Sequence, residues 1–373
     1  MILSALVRKE FKEIKRDSVT LSIAIFLPLV LLFLFGYGVS LDVEDVALAV
    51  YDQDKSQESA RLVEAFTGSG YFRLKHNLTS ANEVNKIIDS GEATVALLIP
   101  PDFSSKLKLA RSADLQVIID GSFSATALIV SNYAISIVQR YSTNLALRHL
   151  AELGLQAPER IQLVPRVWYN ASMKSVNYIV PGLFAVLLMA FPPMLTALSI
   201  VREKERGTIE QIYVSPITPA LFILGKIVPY ASIAFLEMLL ILGVGALWFQ
   251  IPFKGSVALL FGASLLYVLV TVGIGVFVST VTRTQLGAVL LSLVVTLMPS
   301  FLFSGFLYPI STMPYMMQLY TFVFPVRYFN DISRDLFLKG VGLEYIWGNV
   351  LLLALYAVIL FLLATWRLKK KVA

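Results

Sequence analysis

The sequence predicts a polytopic α-helical membrane protein, six transmembrane helices with an inserted extracytoplasmic α/β domain. Three observations predict it. The chain is 57% apolar and 15% charged over 373 residues, where soluble domains run near one quarter charged. The apolar residues come in uncharged blocks, and about 20 such residues cross the hydrocarbon core. Basic residues flank alternate blocks, which sets the direction of insertion.

The elements follow in order. Residues 1–17 predict a cytoplasmic helix. Leu3, Leu6, Val7, Phe11 and Ile14 recur at helical spacing against Arg8, Lys9, Lys12, Lys15 and Arg16. That pattern fits a helix lying in the membrane interface, or one that merely flanks the first span. Residues 18–41 form the first span. The run is too long for a cleaved signal peptide and has no clear small-x-small site, so it reads as a signal anchor. Residues 42–173 are the extracytoplasmic domain, 174–201 the second span and 202–221 a charged loop. Residues 222–250 are the third span, interrupted by Glu237, and 256–281 the fourth. The uncharged stretch 284–326 is about twice the length a span needs. Pro299, Pro309, Pro314 and Pro325 break it, so a span over 286–305 precedes a re-entrant or interfacial segment over 306–344. Residues 345–366 are the sixth span and 367–373 a tail. Arg202, Lys204 and Arg206, then Arg283, then Arg367 and Lys369–Lys371 join the basic leader on one side. Both termini are therefore expected in the cytoplasm and residues 42–173 outside, in the cell (inner) membrane. The net charge of +6 is mostly membrane orientation, and nucleic acid is not an expected partner.

Within 42–173 strands are expected at Val46–Tyr51, Tyr71–Lys75, Thr94–Ile99 and Leu115–Asp120, with helices between them. Alternation of this kind favours a small layered domain with strands at least partly parallel. Ser122–Leu153 reads as one long helix. Asp52, Asp54 and Asp120 follow strand ends, where turn and capping chemistry explains them better than a metal. His76 and His149 stand alone, without a Cys or a second His nearby in sequence.

The chain has no Cys, which excludes disulfides and thiolate metal sites. It carries no G-x-x-x-x-G-K-[ST] run; Gly225-Lys226 is followed by Ile227 and lacks the upstream glycine. It also lacks H-E-x-x-H, G-x-S-x-G and a dinucleotide fingerprint. No catalytic residue, metal or cofactor is expected in this chain, and energy for any work must come from a partner.

The segment Val201–Pro216 is the most informative. Thr208 and Gln211 can form a capping box, Gly207 permits a reversal before it, and Pro216 and Pro219 stop the short helix. Such a rigid, charged element between two spans can pass a rigid-body motion from a docked partner into the bundle. Its alternative is a solvated membrane-flanking loop.

Read with its surroundings, this segment resembles the membrane subunit of type 2 ABC exporters. The matching residues are Arg202–Thr208, Glu210-Gln211, Ser215–Pro219 and Gly225-Lys226. The leader Arg8–Asp17 and the late pieces Ser304–Pro309, Met313-Pro314, Pro325–Tyr328 and Arg334 are also similar to that family. Ile209 and Tyr213 stand where the family often has Leu. A large domain after the first span resembles the drug- or lipid-exporting subgroup. The resemblance implies a permease paired with a second copy or a paralogue. It also implies a separate ATP-binding subunit on the cytoplasmic face, which holds ATP and Mg. It implies that Arg202, Glu203, Glu205, Arg206, Gly207, Thr208, Glu210, Gln211, Ser215 and Pro216 couple to that subunit.

Glu237 is the one carboxylate deep in a span. Placing an acid there costs about 2.5–3.5 kcal/mol, so it should face the bundle interior, a dimer interface or a wet cavity. Glu237, Tyr308 and Arg327 are the candidates for a cargo path or gate, with a helix–helix hydrogen bond as the alternative for Glu237. Lys226, near the cytoplasmic end of its span, can snorkel, so a structural role is expected of it. The function expected is export of a hydrophobic or amphipathic cargo by alternating access, among membrane lipids and with a periplasmic adaptor as a further partner. A membrane-bound lipid-modifying enzyme and a membrane sensor are the alternatives.

Overall fold

The computed structural model describes residues 2–38, 43, 45–109, 111–152, 154, 168–170, 174–209 and 217–369. The chain divides into two units, Met1–Ser40 with Arg166–Ala373, and Leu41–Pro165.

The first unit is a helical bundle. A leader helix α1 (Ile2–Arg16) is followed by α2 (Ser18–Gly38). Asp17 joins them: its carboxylate accepts from the Thr20 N–H at 3.1 Å and the Thr20 hydroxyl at 2.6 Å, capping α2. Among the described residues of this unit, six helices are long and apolar enough to cross a membrane. They are α2, Val176–Glu205, Pro219–Leu247, Val257–Val281, Gln285–Phe303 and a last helix over Leu343–Lys369.

Val176–Glu205 is the axis of the bundle. Every residue from Ile179 to Ala197 is buried, as befits a helix apolar on all sides. Pro219–Leu247 starts with Thr218 as N-cap and Pro219 in the first turn. Val257–Val281 packs closely on the axis at Gly275, where a Cβ would lie 2.8 Å from Thr196 Cβ. Buried Tyr267 donates to the Ala185 carbonyl at 2.9 Å. Gln285–Phe303 lays a buried row of Ser292, Thr296 and Ser300 inward, with the Thr296 and Ser300 hydroxyls bonded to carbonyls one turn back. Its other face, Leu286, Leu290, Val294 and Met298, is exposed, as suits contact with lipid.

The proline-rich stretch after it breaks into short pieces, Ile310–Thr312, Tyr315–Thr321 and Pro325–Arg334, then a π-turn over Asp335–Lys339. Pro325–Arg334 packs into the bundle core: Phe329 is fully buried and stacks on Tyr267 at 4.1 Å.

The second unit is a small layered α/β domain. Its strands are β1 (Val46–Asp52), β2 (Phe72–Asn77), β3 (Val95–Ile99) and β4 (Gln116–Ile119), in the order β2-β1-β3-β4. β1 pairs parallel with β2 and β3, and β4 closes the edge antiparallel to β3. The helices are α3 (Gln57–Thr67), α4 (Ala81–Asp89), α5 (Phe103–Lys108) and α6 (Ser124–Glu152). Strand alternation splits the core. Leu48, Val50, Val95 and Leu97 face Leu62, Phe66, Phe103, Val130 and Ala134. Ala49 and Ala96 face Val84 of α4. Asp52 accepts from the Asp54 and Lys55 N–H groups and the Ser59 hydroxyl, and Asp120 from the Ser122 N–H. These are turn and cap bonds.

Candidate functional site: a buried ionic cluster beside the charged loop

The site grows from the leader helix. Its row Leu6, Glu10, Ile14 runs at four-residue spacing along one face, and Glu10 and Ile14 are buried. Gly225 lies against Leu6, where a Cβ would come to 3.0 Å from Leu6 Cβ. This close approach of α1 to Pro219–Leu247 brings Glu10 to Lys226.

The Lys226 ammonium sits 2.8 Å from Glu10 Oε1 and 3.2 Å from Glu203 Oε1. Lys9 bonds Glu203 and lies 3.4 Å from both Glu10 Oε1 and Glu13 Oε1. Lys226, Glu10 and Glu203 are 2%, 3% and 6% exposed, so the cluster lies inside the protein. Three carboxylates and two ammonium groups leave one net negative charge when all are ionised. Burial raises the Glu10 pKa, and Lys226 works against that rise. Burial pulls the Lys9 pKa down, but the bond and charge of Glu203 outweigh it and raise the pKa. Oxygens of Glu10, Glu13 and Glu203 lie within 4.8 Å of one another. Lys9 and Lys226 offset two of its three negative charges, so its chemistry is that of an ion-pair network rather than a metal cage. Glu10 Oε2 and Glu203 Oε2 have no hydrogen-bond partner among the described residues.

A second pair stands beside it. Arg202 bonds Asp17 and reaches the Thr20 hydroxyl at 3.3 Å. Burial opposes ionisation of Asp17, but the Thr20 bonds and the Arg202 guanidinium hold its pKa down at about 2. Lys204 donates to the Ser279 carbonyl, and Glu205 accepts from the Gln285 N–H at 2.7 Å. The leader, the end of Val176–Glu205, the start of Pro219–Leu247 and the turn 282–284 thus meet at one end of the bundle. A cavity of about 310 Å³ opens there, lined by Lys9, Asp17, Arg202, Arg206, Thr208 and Tyr230 among others.

Glu237 is 3% exposed, and neither carboxylate oxygen has a hydrogen-bond partner among the described residues. Tyr308 is 65% exposed. Arg327 lies over the Phe322 ring at 4.0 Å and bonds the Thr321 hydroxyl. Glu237, Tyr308 and Arg327 are not joined by any bond among the described residues.

Comparison with known proteins decides the family. A family model described as ABC-2 family transporter protein matches residues 18–366. The chain belongs to the ABC-2 transporter family. This ABC-2 protein is 34% identical over 345 residues to the "Probable multidrug ABC transporter permease YbhR" of Escherichia coli strain K12, covering 92% of each chain. It is 33% identical over 368 residues to "Probable multidrug ABC transporter permease YbhS" of the same organism, covering 98% of this chain and 96% of the relative. It is 26% identical over 376 residues to the "Inner membrane transport permease YhhJ" of that strain, covering 98% and 96%. As an ABC-2 family member the chain is a membrane permease of an ABC exporter, and the family works with an ATP-binding subunit.

The ABC-2 signature residues divide by environment. Arg202, Glu203 and Glu205, named above for coupling, have partners inside this chain. Arg206, Gly207 and Thr208 are exposed, and Gly207 turns the chain with φ +71°. Thr208 donates to the Glu203 carbonyl at 3.2 Å. Glu210, Gln211, Ser215 and Pro216, and with them the expected capping box, lie outside the described residues. Lys226 does not snorkel; two carboxylates within the protein hold it. Glu10, Asp17 and Lys9 escaped the sequence reading. An acid on the apolar row of a basic leader was the available signal. Arg334 was quoted only as part of the family likeness. Its guanidinium lies 3.7 Å over Tyr178 and donates to the Gly305 carbonyl at 2.8 Å.

Proposed function

We propose that this permease exports a hydrophobic or amphipathic cargo, drug-like or lipid-like, by alternating access driven by a separate ATP-binding subunit. The leader end of the bundle then faces the cytoplasm and residues 42–173 lie outside, in the inner membrane. The ATP-binding subunit engages the exposed turn Arg206–Thr208 and the following residues Glu210, Gln211, Ser215 and Pro216. ATP and Mg belong to that subunit. A second permease copy or a paralogue completes the path, and a periplasmic adaptor meets the outer unit. Glu237 serves the cargo path or gate; Tyr308 and Arg327 belong to its outer end.

The observation that carries this reading is the buried trio Lys226, Glu10 and Glu203, with exposed Lys9 bonded to Glu203. It fastens three helices into one body directly beside the exposed turn. A push on the turn then moves whole helices rather than bending a loop. The multidrug and inner-membrane names of the relatives support the cargo class and the location.

The test is reconstitution with the ATP-binding subunit in proteoliposomes, reading nucleotide hydrolysis and cargo efflux together. Gly207→Pro and Glu210→Lys should leave hydrolysis by the complex measurable and lose its coupling to efflux. Full coupling in both variants would overturn the role of the turn. Nucleotide hydrolysis by this chain alone, or labelling of an Arg206→Cys variant only from outside, would overturn the whole reading.

A further inference from the structure

The layered α/β unit contains a cavity of about 590 Å³ that the transport reading does not use. Its floor belongs to the unit's own core: Leu62 of α3 and Phe103 of α5 are 1% and 4% exposed. Leu107 and Leu115 wall it on one side, Val138 and Leu145 of α6 on the other. Tyr141 also lines it, but its hydroxyl is bonded to the Glu58 carbonyl and carboxylate, both at 3.1 Å. Pockets for small molecules run about 300–1,000 Å³, with apolar walls and a few placed polar groups. This cavity has that size and that lining.

Basic side chains stand at its edge. Arg111 and His149 line it. Arg140 and Arg148 line an adjoining cavity of about 440 Å³, which shares Tyr141 and Leu145 with the first. Arg111, Arg140 and Arg148 make no ion pair among the described residues. Of the acids nearby, Asp102 pairs with Lys106 at 2.7 Å and Glu58 with Arg61 at 2.6 Å, Glu152 stands 3.6 Å from the cavity-lining His149, and Glu64 lines the adjoining cavity. Asp114 acts on Lys106 as well. An apolar chamber with an unpaired guanidinium at its mouth is complementary to one chemistry.

We propose that this cavity binds an anionic amphiphile, its apolar body against Leu62, Phe103 and Val138 and its acidic head group at Arg111. The inference goes beyond the transport reading and does not depend on it, because binding here is read without nucleotide or efflux. The ligand can arrive from the bilayer or from the aqueous phase.

The experiment uses the full chain in lipid nanodiscs and two photoreactive probes, dodecyl phosphate and dodecanol, each with a diazirine in the chain. Each probe is supplied either in the bilayer or from buffer, and cross-links are mapped by peptide mass spectrometry. Dodecyl phosphate should mark peptides within 103–115 and 138–150, roughly tenfold more strongly than dodecanol, the factor that one charge-assisted contact gives. Labelling by either route supports the site, and the more efficient route identifies the source. Arg111→Ala should remove the preference for the phosphate while leaving the weaker dodecanol labelling. Leu145→Asp should abolish both. Arg111→Glu should transfer the preference to a dodecylammonium probe. Hydrogen-exchange protection of β3 checks the fold of each variant, and the comparison of probes on the unmodified chain needs no variant at all. Equal labelling by the two probes, cross-links confined to the membrane helices, or a phosphate preference that survives Arg111→Ala would overturn the proposal.

Discussion

Lys226 sits between Glu10 and Glu203, which come from two other helices, at 2% exposure. Taking an ammonium group out of water costs several kcal/mol, and the carboxylates offset that only while they stay in place. Removing one member of such a group leaves the others buried and unbalanced, which costs about 3–5 kcal/mol. Lys226→Met should therefore lower the melting temperature of the purified chain in detergent well below wild type. The double change Lys226→Met with Glu10→Gln should melt closer to wild type than the single, because the stranded carboxylate is gone. A double variant no better than the single would show that Lys226 acts through packing rather than charge.

At the scale of elements, Asp17 joins three helices: it follows α1, caps α2 and holds Arg202 at the end of Val176–Glu205. Its pKa is lowered from 3.8 to about 2 in the folded chain. The folded state therefore gains from ionised Asp17 above the unfolded pKa, and the gain is lost as pH falls through the folded value. The melting-temperature gap between wild type and Asp17→Asn should be constant above about pH 4 and close towards about pH 2. A gap that widens on acidification would contradict the pairing. The helices were easier to read from sequence than this junction. Uncharged blocks of membrane length dictate spans on their own, although Pro219, read from sequence as a helix stop, opens Pro219–Leu247 behind the Thr218 cap. The cluster was not legible in the same way. Lys9 and Glu203 are 194 positions apart, and nothing local to either residue names the other. Glu10 was the exception in principle, since its position between Leu6 and Ile14 placed it on the buried face.

At the scale of the whole molecule, each unit owns a core. In the layered unit, Leu97 on β3 is fully buried among Leu48, Val50, Leu62 and Phe66. Leu97→Ala should cost that unit about 2–5 kcal/mol. Hydrogen exchange should show faster opening of β1 and β3 with the protection of Val176–Glu205 unchanged. Loss of protection in both would mean that the cores are energetically one. The parallel pairing of β1 with its neighbours was foreseeable, because strands alternating with helical segments leave room for crossovers. The inward packing of Pro325–Arg334 was only partly so. Pro325 and the prolines before it announce a break, but the burial of Asn330 against the Ser304 carbonyl at 2.8 Å depends on a distant turn.

The ionic cluster also bears on biogenesis. The leader leaves the ribosome well before its distant partners, and the ion pairs Lys9–Glu203 and Glu10–Lys226 form only after Glu203 and then Lys226 have been synthesised. Closure of this knot is accordingly a late step in maturation, and a nascent chain stalled before Lys226 emerges should be a ready substrate for quality-control proteases.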